Sequence, residues 1–304
     1  MINTSTNLIV LLGATASGKT GLAVAAAQKL NAEIISADSR QVYRGMDIGT
    51  GKDLHEYADV PYHLIDIVNP GSEFNLFEFQ NRFAAAYNNI IDRGKMPLLC
   101  GGTGLYIDTI LRNEALVKAP VNDSLRRKLE PLSDQQLQQH LFKLQPQQHN
   151  TTDLKERERL LRAIEIATAR RNTPPTTIIP HLTPLVFGLR WPRQILRQRI
   201  TQRLQQRLQQ GMIEEVEELH KHGVSWESLE FYGLEYRFIA QYLQGKLSRN
   251  DAVQKLNSAI HQFAKRQDTW FRRMEKHGCN INWLDGDGQP LQQMLTIMQP
   301  ASCL

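Results

Sequence analysis

The residues with the clearest chemical potential form one glycine-rich loop. Residues 13–20 read GATASGKT and match the pattern G-x-x-x-x-G-K-[ST]. In such a loop the backbone N–H groups surround phosphate oxygens, and the dipole of the following helix stabilises the same negative charge. We predict that Lys19 neutralises the terminal phosphate and that the Thr20 hydroxyl binds Mg²⁺. The loop does not reveal whether the diphosphate belongs to ATP, GTP or another compound.

The predicted diphosphate-binding residues are therefore the eight members of this loop. They are Gly13, Ala14, Thr15, Ala16, Ser17, Gly18, Lys19 and Thr20. A glycine turn with a surface lysine is the alternative explanation. It does not account for the strand and helix patterns on either side of the loop.

An acidic residue follows a second predicted strand. Asp38 comes after the predicted strand 33–36, and the carboxyl ends of parallel strands form the edge at which an open α/β sheet binds ligands. Asp38 either organises Mg²⁺, as in a nucleotide hydrolase or kinase, or acts as the general base for a nucleophile. Sequence alone does not separate these roles. Asp66, which ends the run 63–66, is a weaker candidate for organising the metal.

A second glycine turn follows the predicted strand 97–100. It reads GGTG over residues 101–104 and opens a helix that extends to about Arg112. Thr103 is in position to donate a hydrogen bond to a phosphate oxygen. Close packing of the helix on the strand explains the same glycines equally well.

The elements that position these residues predict an α/β fold. The apolar run 7–12 indicates a buried parallel strand, and the segment 21–30 indicates an amphipathic helix. With the strand 185–189 these elements predict a P-loop NTPase-like parallel sheet flanked by helices, with a mainly helical insertion domain. We place the catalytic core and its C-terminal RNA-binding helices at 1–117 and 183–304. The insertion domain is placed at 118–182, bounded by Pro120 and the Pro174-Pro175 linker.

Composition narrows the class of protein. The chain has 304 residues, of which 41% are hydrophobic, and this excludes a disordered or fibrous protein. It shows no apolar stretch of signal-peptide or membrane-span length, so we expect a cytoplasmic protein with no membrane partner. The three cysteines, Cys100, Cys279 and Cys303, are expected to be structural thiols. A net charge of +5 is compatible with a polyanionic partner and with an ordinary soluble enzyme.

Two basic helices are predicted in the C-terminal half. From Arg193 onward an apolar stripe predicts one helix, and Arg199, Arg203 and Arg207 form a row about 100° around that helix from the stripe. The row is either a track for an RNA backbone or a solvated face. In the second helix, over 257–274, we expect the aromatic residues to lie in the core rather than to stack on bases.

Three segments together closely resemble the tRNA dimethylallyltransferase family. They are 13–20, 36–50 and 101–106, and further matches occur at 159–165 and 263–272. The similarity therefore extends over nearly the whole chain. The family transfers a dimethylallyl group from dimethylallyl diphosphate to N6 of adenosine 37, next to the anticodon of tRNA, and releases diphosphate.

The resemblance implies a role for each matched residue. Asp38 would accept the proton from N6, and Thr103 and Lys19 would stabilise the diphosphate, so these three are the predicted catalytic residues. Mg²⁺ is the implied cofactor, the implied partners are a tRNA anticodon stem-loop and dimethylallyl diphosphate, and no obligate protein partner is predicted. The implied tRNA-binding residues are Asp38, Ser39, Arg40, Gln41, Arg159, Leu160, Leu161, Arg162, Lys265, Arg266, Gln267 and Arg272.

The sequence departs from the family pattern in two places. More residues than usual separate Asp153 from Arg159. The family carries an arginine shortly before a Gly-Tyr-Arg run, whereas this chain reads SLEFYGLEYR over 228–237. We assign no diphosphate-binding arginine in that segment. Arg237 is a candidate for that role without support from the family pattern.

Two other hypotheses come from different classes of protein. A small-molecule or nucleoside kinase would use the same loop with ATP and Asp38 as the base for a hydroxyl. The extended match over 38–50 has no reason to exist in a kinase. An RNA-binding protein with a non-catalytic loop is the third hypothesis, and it predicts that loss of the Asp38 carboxylate changes no activity.

Overall fold

The computed structural model describes residues 6–146, 156–174 and 180–299. Asp153, Pro175 and Cys303 lie outside the described residues. The chain divides into two compact units, one formed by Met1–Asn113 with His181–Leu304 and the other by Glu114–Pro180.

The first unit is built on a parallel sheet of six strands in the order β3-β2-β4-β1-β5-β6. The long central strands are apolar because helices cover both faces of the sheet. This confirms the predicted α/β class, but β6 was not predicted from the sequence. The strands are β1 Leu8–Gly13, β2 Ala32–Ala37, β3 Tyr62–His63, β4 Met96–Gly101, β5 Pro184–Arg190 and β6 Ile281–Asp285.

Twelve helices are assigned within the described residues, and nine of them belong to the first unit. In chain order they are α1 Lys19–Leu30, α2 Leu76–Asp92, α3 Gly104–Leu111, α4 Asp123–Leu129, α5 Asp134–Leu144, α6 Arg157–Asn172, α7 Arg193–Gln209, α8 Met212–Lys221, α9 Trp226–Phe231, α10 Leu234–Leu243, α11 Arg249–Lys276 and α12 Pro290–Met298. A single 3₁₀ turn spans Leu54–Tyr57. The helices α4 to α6 form the second unit.

Alternate residues of β1 enter the cores on the two faces of the sheet. Ile9 and Leu11 pack in the cluster that includes α1 and α12, whereas Leu8, Val10 and Leu12 pack in the cluster that includes α2, α3 and α11. A third cluster joins α7, α8, α10 and α11 to the segment after β2 and to the loop after β1. This third cluster brings the C-terminal helices to the glycine-rich loop.

The second unit has a leucine core of its own. Leu160 and Leu161 are 0% and 7% exposed and pack with leucines of α4 and α5. They were predicted to bind tRNA, but this packing makes their side chains inaccessible to RNA. Helix α5 begins with a capping box in which Ser133 and Gln136 satisfy each other's backbone N–H groups.

No helix among the described residues is long and apolar enough to cross a membrane.

Candidate active site

The glycine-rich loop connects β1 to α1 and has the geometry of a phosphate cradle. Gly18 adopts φ 86°, which favours glycine, and α1 begins at the next residue. A Cβ added to Gly13 would lie 2.9 Å from Ser17 Oγ. Lys19 Nζ donates to Ala14 O at 3.4 Å. Burial lowers the pKa of Lys19, so a bound anion would stabilise its charged form.

Side chains from the C-terminal half hold the outside of this loop. Trp191 Nε1 donates to Ser17 O at 2.7 Å, and Arg199 Nε donates to Ala16 O at 2.9 Å. The Arg199 guanidinium also lies 4.3 Å from the centroid of the Trp191 ring. These contacts fix the loop in one conformation before any ligand binds.

Asp38 and Thr103 meet where β2 and β4 end. Asp38 Oδ1 accepts from the backbone N–H of Arg40 at 2.9 Å, which fixes the carboxylate in a local turn. Thr103 Oγ1 accepts from the backbone N–H of Ser39 at 3.1 Å. A Cβ added to Gly101 would lie 2.2 Å from Ala37 O, so this close approach of the two strand ends requires glycine.

Gln267 of α11 connects the two glycine turns. Its Oε1 accepts from the backbone N–H of Thr15 at 2.8 Å, and its Nε2 donates to Gly102 O at 2.8 Å. The residue is 7% exposed. Gln267 was predicted to bind tRNA, but its buried amide is engaged by the backbone of both loops. It therefore positions the two loops, and its contact with tRNA stays a prediction.

A cavity of about 990 Å³ lies between the loops and the helices α7, α9, α10 and α11. It is of the size of small-molecule sites. Trp270 also lines the cavity, and its Nε1 is buried with no hydrogen-bond partner among the described residues. Predicted site residues in its lining are Thr15, Ala16, Gly18, Lys19, Thr20, Asp38, Ser39, Arg40, Gln41, Thr103, Arg266 and Gln267.

The remaining predicted tRNA-binding residues lie outside this lining. Lys265 and Arg272 are exposed on α11. Arg159 is exposed on α6 and pairs with Glu156. Arg162 donates to Glu165 and to Ala119 O. In the lining itself, Gln41 is buried and binds Ser36 and Gly51 O, so it supports the following loop.

The arginine row of α7 faces the cavity. Arg199, Arg203 and Arg207 all line it, and Arg207 is 7% exposed. The row is not a solvated face, because Arg207 is buried and Arg203 and Arg207 pair with Asp53 of the segment after β2. Its contact with an RNA backbone stays a prediction. Sequence periodicity identified the row as one face of a helix but contained no signal for what that face contacts.

Two exposed phenylalanines stand at the cavity, each beside an arginine. Arg40 lies 5.5 Å from the centroid of Phe231, which is 67% exposed, and Arg266 lies 5.9 Å from the centroid of Phe263, which is 38% exposed. Phe263 was expected in the core and is not buried. Phe271 and Met274, which lie farther along α11, are in the core as expected.

Glu215 of α8 holds the loop that forms another wall of the cavity. Its carboxylate accepts from the backbone N–H groups of Asp47, Ile48 and Gly49 at 2.7–3.0 Å, and from Tyr236 Oη at 2.7 Å. A Cβ added to Gly49 would lie 2.6 Å from the Tyr236 ring. Sequence reasoning missed this support because its partners lie far apart in the chain.

Oxygen ligands for a divalent cation are limited to a few groups. Asp66 was a candidate, but it pairs with the buried Lys52 and does not line the cavity. No group of three or more His, Cys, Asp or Glu residues that could hold a metal occurs in the described part of the chain. Thr20 and Asp38 do line the cavity. They fit Mg²⁺, which proteins commonly hold with one or two side-chain oxygens and substrate phosphates.

Family models match almost the whole chain. One described as IPP transferase matches residues 41–274, and one described as isopentenyl transferase matches residues 6–59. The chain belongs to the IPP transferase family.

Two members of the family are similar to the chain over nearly its full length. The chain is 60% identical over 295 residues to tRNA dimethylallyltransferase 1 of Geotalea uraniireducens, covering 97% of this chain and 98% of the relative. It is 63% identical over 292 residues to tRNA dimethylallyltransferase 2 of Syntrophotalea carbinolica, covering 96% and 98%.

Solved structures of the family share the fold. The tRNA isopentenylpyrophosphate transferase of Bacillus halodurans matches with a TM-score of 0.70 at 32% identity, over 96% of this chain and 94% of that one. A eukaryotic dimethylallyltransferase described as acting on tRNA matches with a TM-score of 0.74 at 25% identity, over 93% and 74%. These findings confirm the predicted family, fold class and prenyltransferase class, and a kinase does not fit them.

The segment that departs from the family pattern supplies no buried arginine. Glu230 accepts hydrogen bonds from Gln241, Gln244 and Lys246, which lower the pKa of its carboxyl to about 2. Arg237 is exposed and donates to Glu230 O at 3.1 Å, while also lining the cavity. The side chain of Glu235 borders the cavity too, and burial raises the pKa of its carboxyl.

Proposed function

We propose that this chain transfers the dimethylallyl group of dimethylallyl diphosphate to N6 of adenosine 37 in tRNA and releases diphosphate. One observation carries the proposal. A single cavity, in a member of the IPP transferase family, combines a phosphate loop with Asp38 and Thr103 at two strand ends. Relatives of about 60% identity over nearly the full chain are tRNA dimethylallyltransferases.

The phosphate loop and its neighbours hold the leaving group. Backbone N–H groups of the loop and Lys19 meet the charge that grows on diphosphate as the C–O bond breaks. Thr103 Oγ1 already accepts a hydrogen bond from Ser39, so its own O–H remains to donate to a diphosphate oxygen. These donors are in place before the reaction, which lowers the barrier to departure.

Asp38 activates the nucleophile. The N6 amino group of adenine is a weak nucleophile because its lone pair is delocalised into the ring. As the new C–N bond forms, a carboxylate that accepts a proton from N6 lowers the barrier. The N–H of Arg40 fixes Oδ1 of Asp38, which leaves Oδ2 to accept that proton.

Mg²⁺ is the proposed cation, with Thr20 supplying a hydroxyl and Asp38 a nearby carboxylate. When bound, the ion neutralises charge on the diphosphate.

The exposed residues around the cavity form the proposed tRNA site. The target adenosine must leave its stack to reach Asp38, and unpaired loop bases do so at low cost. Phe231 with Arg40 and Phe263 with Arg266 offer two stacking surfaces for bases of the anticodon loop. Ser39 lies in the lining, whereas Lys265 and Arg272 on α11 and Arg159 on α6 are proposed to contact phosphates.

The proposal also covers the domain boundaries and the cellular location of the enzyme. We propose a catalytic core at 1–117 and 183–304 and an insertion domain at 118–182. The enzyme would act in the cytoplasm, where its tRNA substrate resides, without an obligate protein partner.

The test is transfer of labelled dimethylallyl diphosphate to unmodified tRNA in the presence of Mg²⁺, followed by nucleoside digestion and mass spectrometry. We expect the label in an N6-alkylated adenosine, with a tRNA whose position 37 is guanosine as the control acceptor. Consumption of ATP with a small hydroxyl compound, and no movement of label, would instead establish the kinase alternative.

A further inference from the structure

The carboxylate of Glu215, in the first turn of α8, accepts hydrogen bonds on both of its oxygens. Oε2 accepts from the backbone N–H groups of Asp47 at 2.8 Å and Ile48 at 2.7 Å. Oε1 accepts from the N–H of Gly49 at 3.0 Å and from Tyr236 Oη at 2.7 Å. Only a group without hydrogen of its own suits these donors, because the nitrogen of an amide would face a backbone N–H at either position.

Tyr236 of α10 completes this contact from the other side of the loop. Its side chain is 1% exposed, and its ring leaves no room for a Cβ at Gly49. Burial, together with the Glu215 carboxylate beside it, raises the pKa of Tyr236, so its hydroxyl keeps its proton and donates. The backbone at Gly49 is therefore fixed between an aromatic ring and a carboxylate.

The same loop is joined to the turn that carries Asp38. Gln41 Nε2 donates to Gly51 O at 3.0 Å, and Gln41 Oε1 accepts from Ser36 Oγ at 3.1 Å. Ser36 and Gln41 are both buried, and they stand on the two sides of Asp38 in the chain. Hydrogen bonds thus connect α8 to the loop after β2, and that loop to the turn of Asp38.

A buried lysine shapes this loop from within. Lys52 Nζ donates to Tyr43 O at 2.6 Å and to Asp47 Oδ1 at 2.7 Å, and its side chain is 0% exposed. These bonds join residues of the loop to one another. Glu215 instead attaches the loop to α8, and Arg207 attaches it to α7. The position of the loop relative to the helices therefore depends on Glu215.

We propose that Glu215 is a positioning residue for the transfer reaction, acting through the loop 47–51 and Gln41 on the turn that carries Asp38. Glu215 itself does not line the cavity, so it acts without touching a substrate. The inference rests on the proposed function, in which Asp38 accepts the proton from N6. A fixed turn holds the Asp38 carboxylate at the distance and angle that proton transfer requires.

A purely stabilising role for Glu215 is the alternative. In that role, its loss lowers the fraction of folded enzyme and therefore the amplitude of a single turnover, but not the rate constant of the molecules that remain folded. A positioning role lowers the rate constant itself. It does so only while Asp38 is present to be positioned.

The experiment is a double-mutant cycle on single-turnover transfer at saturating dimethylallyl diphosphate and tRNA. We expect Glu215→Gln to lower the rate constant by about 10- to 100-fold, the cost of a misplaced catalytic group. In the Asp38→Asn background the same change should cost less than about 2-fold, because the base is already absent. Glu214→Gln, which changes an exposed carboxylate in the same helical turn, is the matched control with the parental rate constant.

Tyr236→Phe is the second variant, for use if Glu215→Gln does not fold. It removes one donor to Glu215, so we expect a smaller loss of rate constant that also disappears in the Asp38→Asn background. Equal fold losses with and without the Asp38 carboxylate, or a parental rate constant in Glu215→Gln, would overturn the positioning role.

Amide hydrogen exchange tests the same connection without catalysis. The N–H groups of Ser39 and Arg40 donate to the side chains of Thr103 and Asp38, so their exchange reports on the turn directly. We expect faster exchange at 39–40 as well as at 47–49 in Glu215→Gln than in Glu214→Gln. Faster exchange confined to 47–49 would overturn the inference. Absence of transfer by the parent would overturn the proposed function, while the exchange rates would still decide whether Glu215 holds the turn.

Discussion

The two units each contain a carboxylate between two arginines, and the burial of the charges is reversed between them. In the insertion unit, Glu165 is 1% exposed while Arg126 and Arg162 are each about one third exposed. In the catalytic unit, Arg207 is buried and Asp53 is partly solvated. Water reaches both cations around Glu165, whereas beside Asp53 it reaches Arg203, which is 31% exposed, but hardly reaches Arg207, which is 8% exposed. In the first arrangement the carboxylate is buried between solvated cations, and in the second a buried cation faces a partly solvated carboxylate.

Hydrogen bonds support this difference. The Glu165 carboxylate also accepts from the backbone N–H of Asn122 at 3.0 Å, and together these donors lower the pKa of its carboxyl despite burial. The single carboxylate of Asp53 pairs with both Arg203 and Arg207, so one negative charge faces two positive charges. The same residue types therefore give a cluster inside the insertion unit and a cluster that lines the cavity in the catalytic unit.

The largest expected effect separates catalytic from structural carboxylates. Asp38→Asn should slow transfer by about 10²- to 10⁴-fold, the usual range for a general base, because N6 loses its proton acceptor. Stability should stay close to that of the parent. Single-turnover transfer measures the rate, and unchanged turnover would remove Asp38 from the mechanism.

The next effect concerns Glu165, whose replacement should lower stability rather than catalysis. Glu165→Gln should lower the free energy of unfolding by about 1–3 kcal/mol, since two arginines lose a buried charged partner. Urea denaturation of the full chain measures this. Glu158→Gln is the matched control, because that exposed carboxylate pairs with the same Arg126 and should cost under about 0.5 kcal/mol. Equal losses of unfolding free energy in Glu165→Gln and Glu158→Gln would contradict the structural role of the buried carboxylate, on which the comparison of the two units rests.

Low pH should remove the contribution of Glu165 to the free energy of unfolding. Its folded pKa lies below the ordinary value of 4.5, so its contribution is fully present above that pH and disappears as the pH falls through the folded pKa. The difference in unfolding free energy between the parent and Glu165→Gln should shrink from pH 6 towards pH 3. A difference that grew in acid would contradict the assignment.

An intermediate effect is expected at the mouth of the cavity. Phe231→Ala should weaken tRNA binding by about 5- to 10-fold through loss of one base-stacking surface. Phe142→Ala, which removes an exposed phenylalanine from the insertion unit, provides the control. Filter binding of unmodified tRNA gives both affinities, and parental affinity in Phe231→Ala would exclude stacking there.

The smallest effect tests which unit contacts the RNA backbone. Lys265→Ala and Arg159→Ala each remove one exposed positive charge, one from each unit. If each contacts a phosphate, each variant should reduce the slope of log affinity against log salt by about 1. An unaltered slope in either variant would show that the replaced residue does not contact a phosphate.

Local sequence determined the phosphate loop and the edge of the sheet at which ligands bind. Residues 13–20 are contiguous, so their spacing alone specifies a turn of backbone N–H groups. Asp38 and Thr103 follow predicted strands, and parallel strands bring their carboxyl ends to one edge. The strand β6 escaped prediction because the short segment Ile281–Asp285 has neither a continuous apolar run nor strict alternation.

Only the tertiary structure decided what surrounds that edge. Gln267 joins Thr15 across 252 positions, and Arg207 joins Asp53 across 154. Helical periodicity placed Arg203 and Arg207 on one face, but the chemistry of that face depends on what packs against it. Charge and burial are properties of the packed surroundings, whereas a loop of consecutive residues carries its geometry in its own backbone.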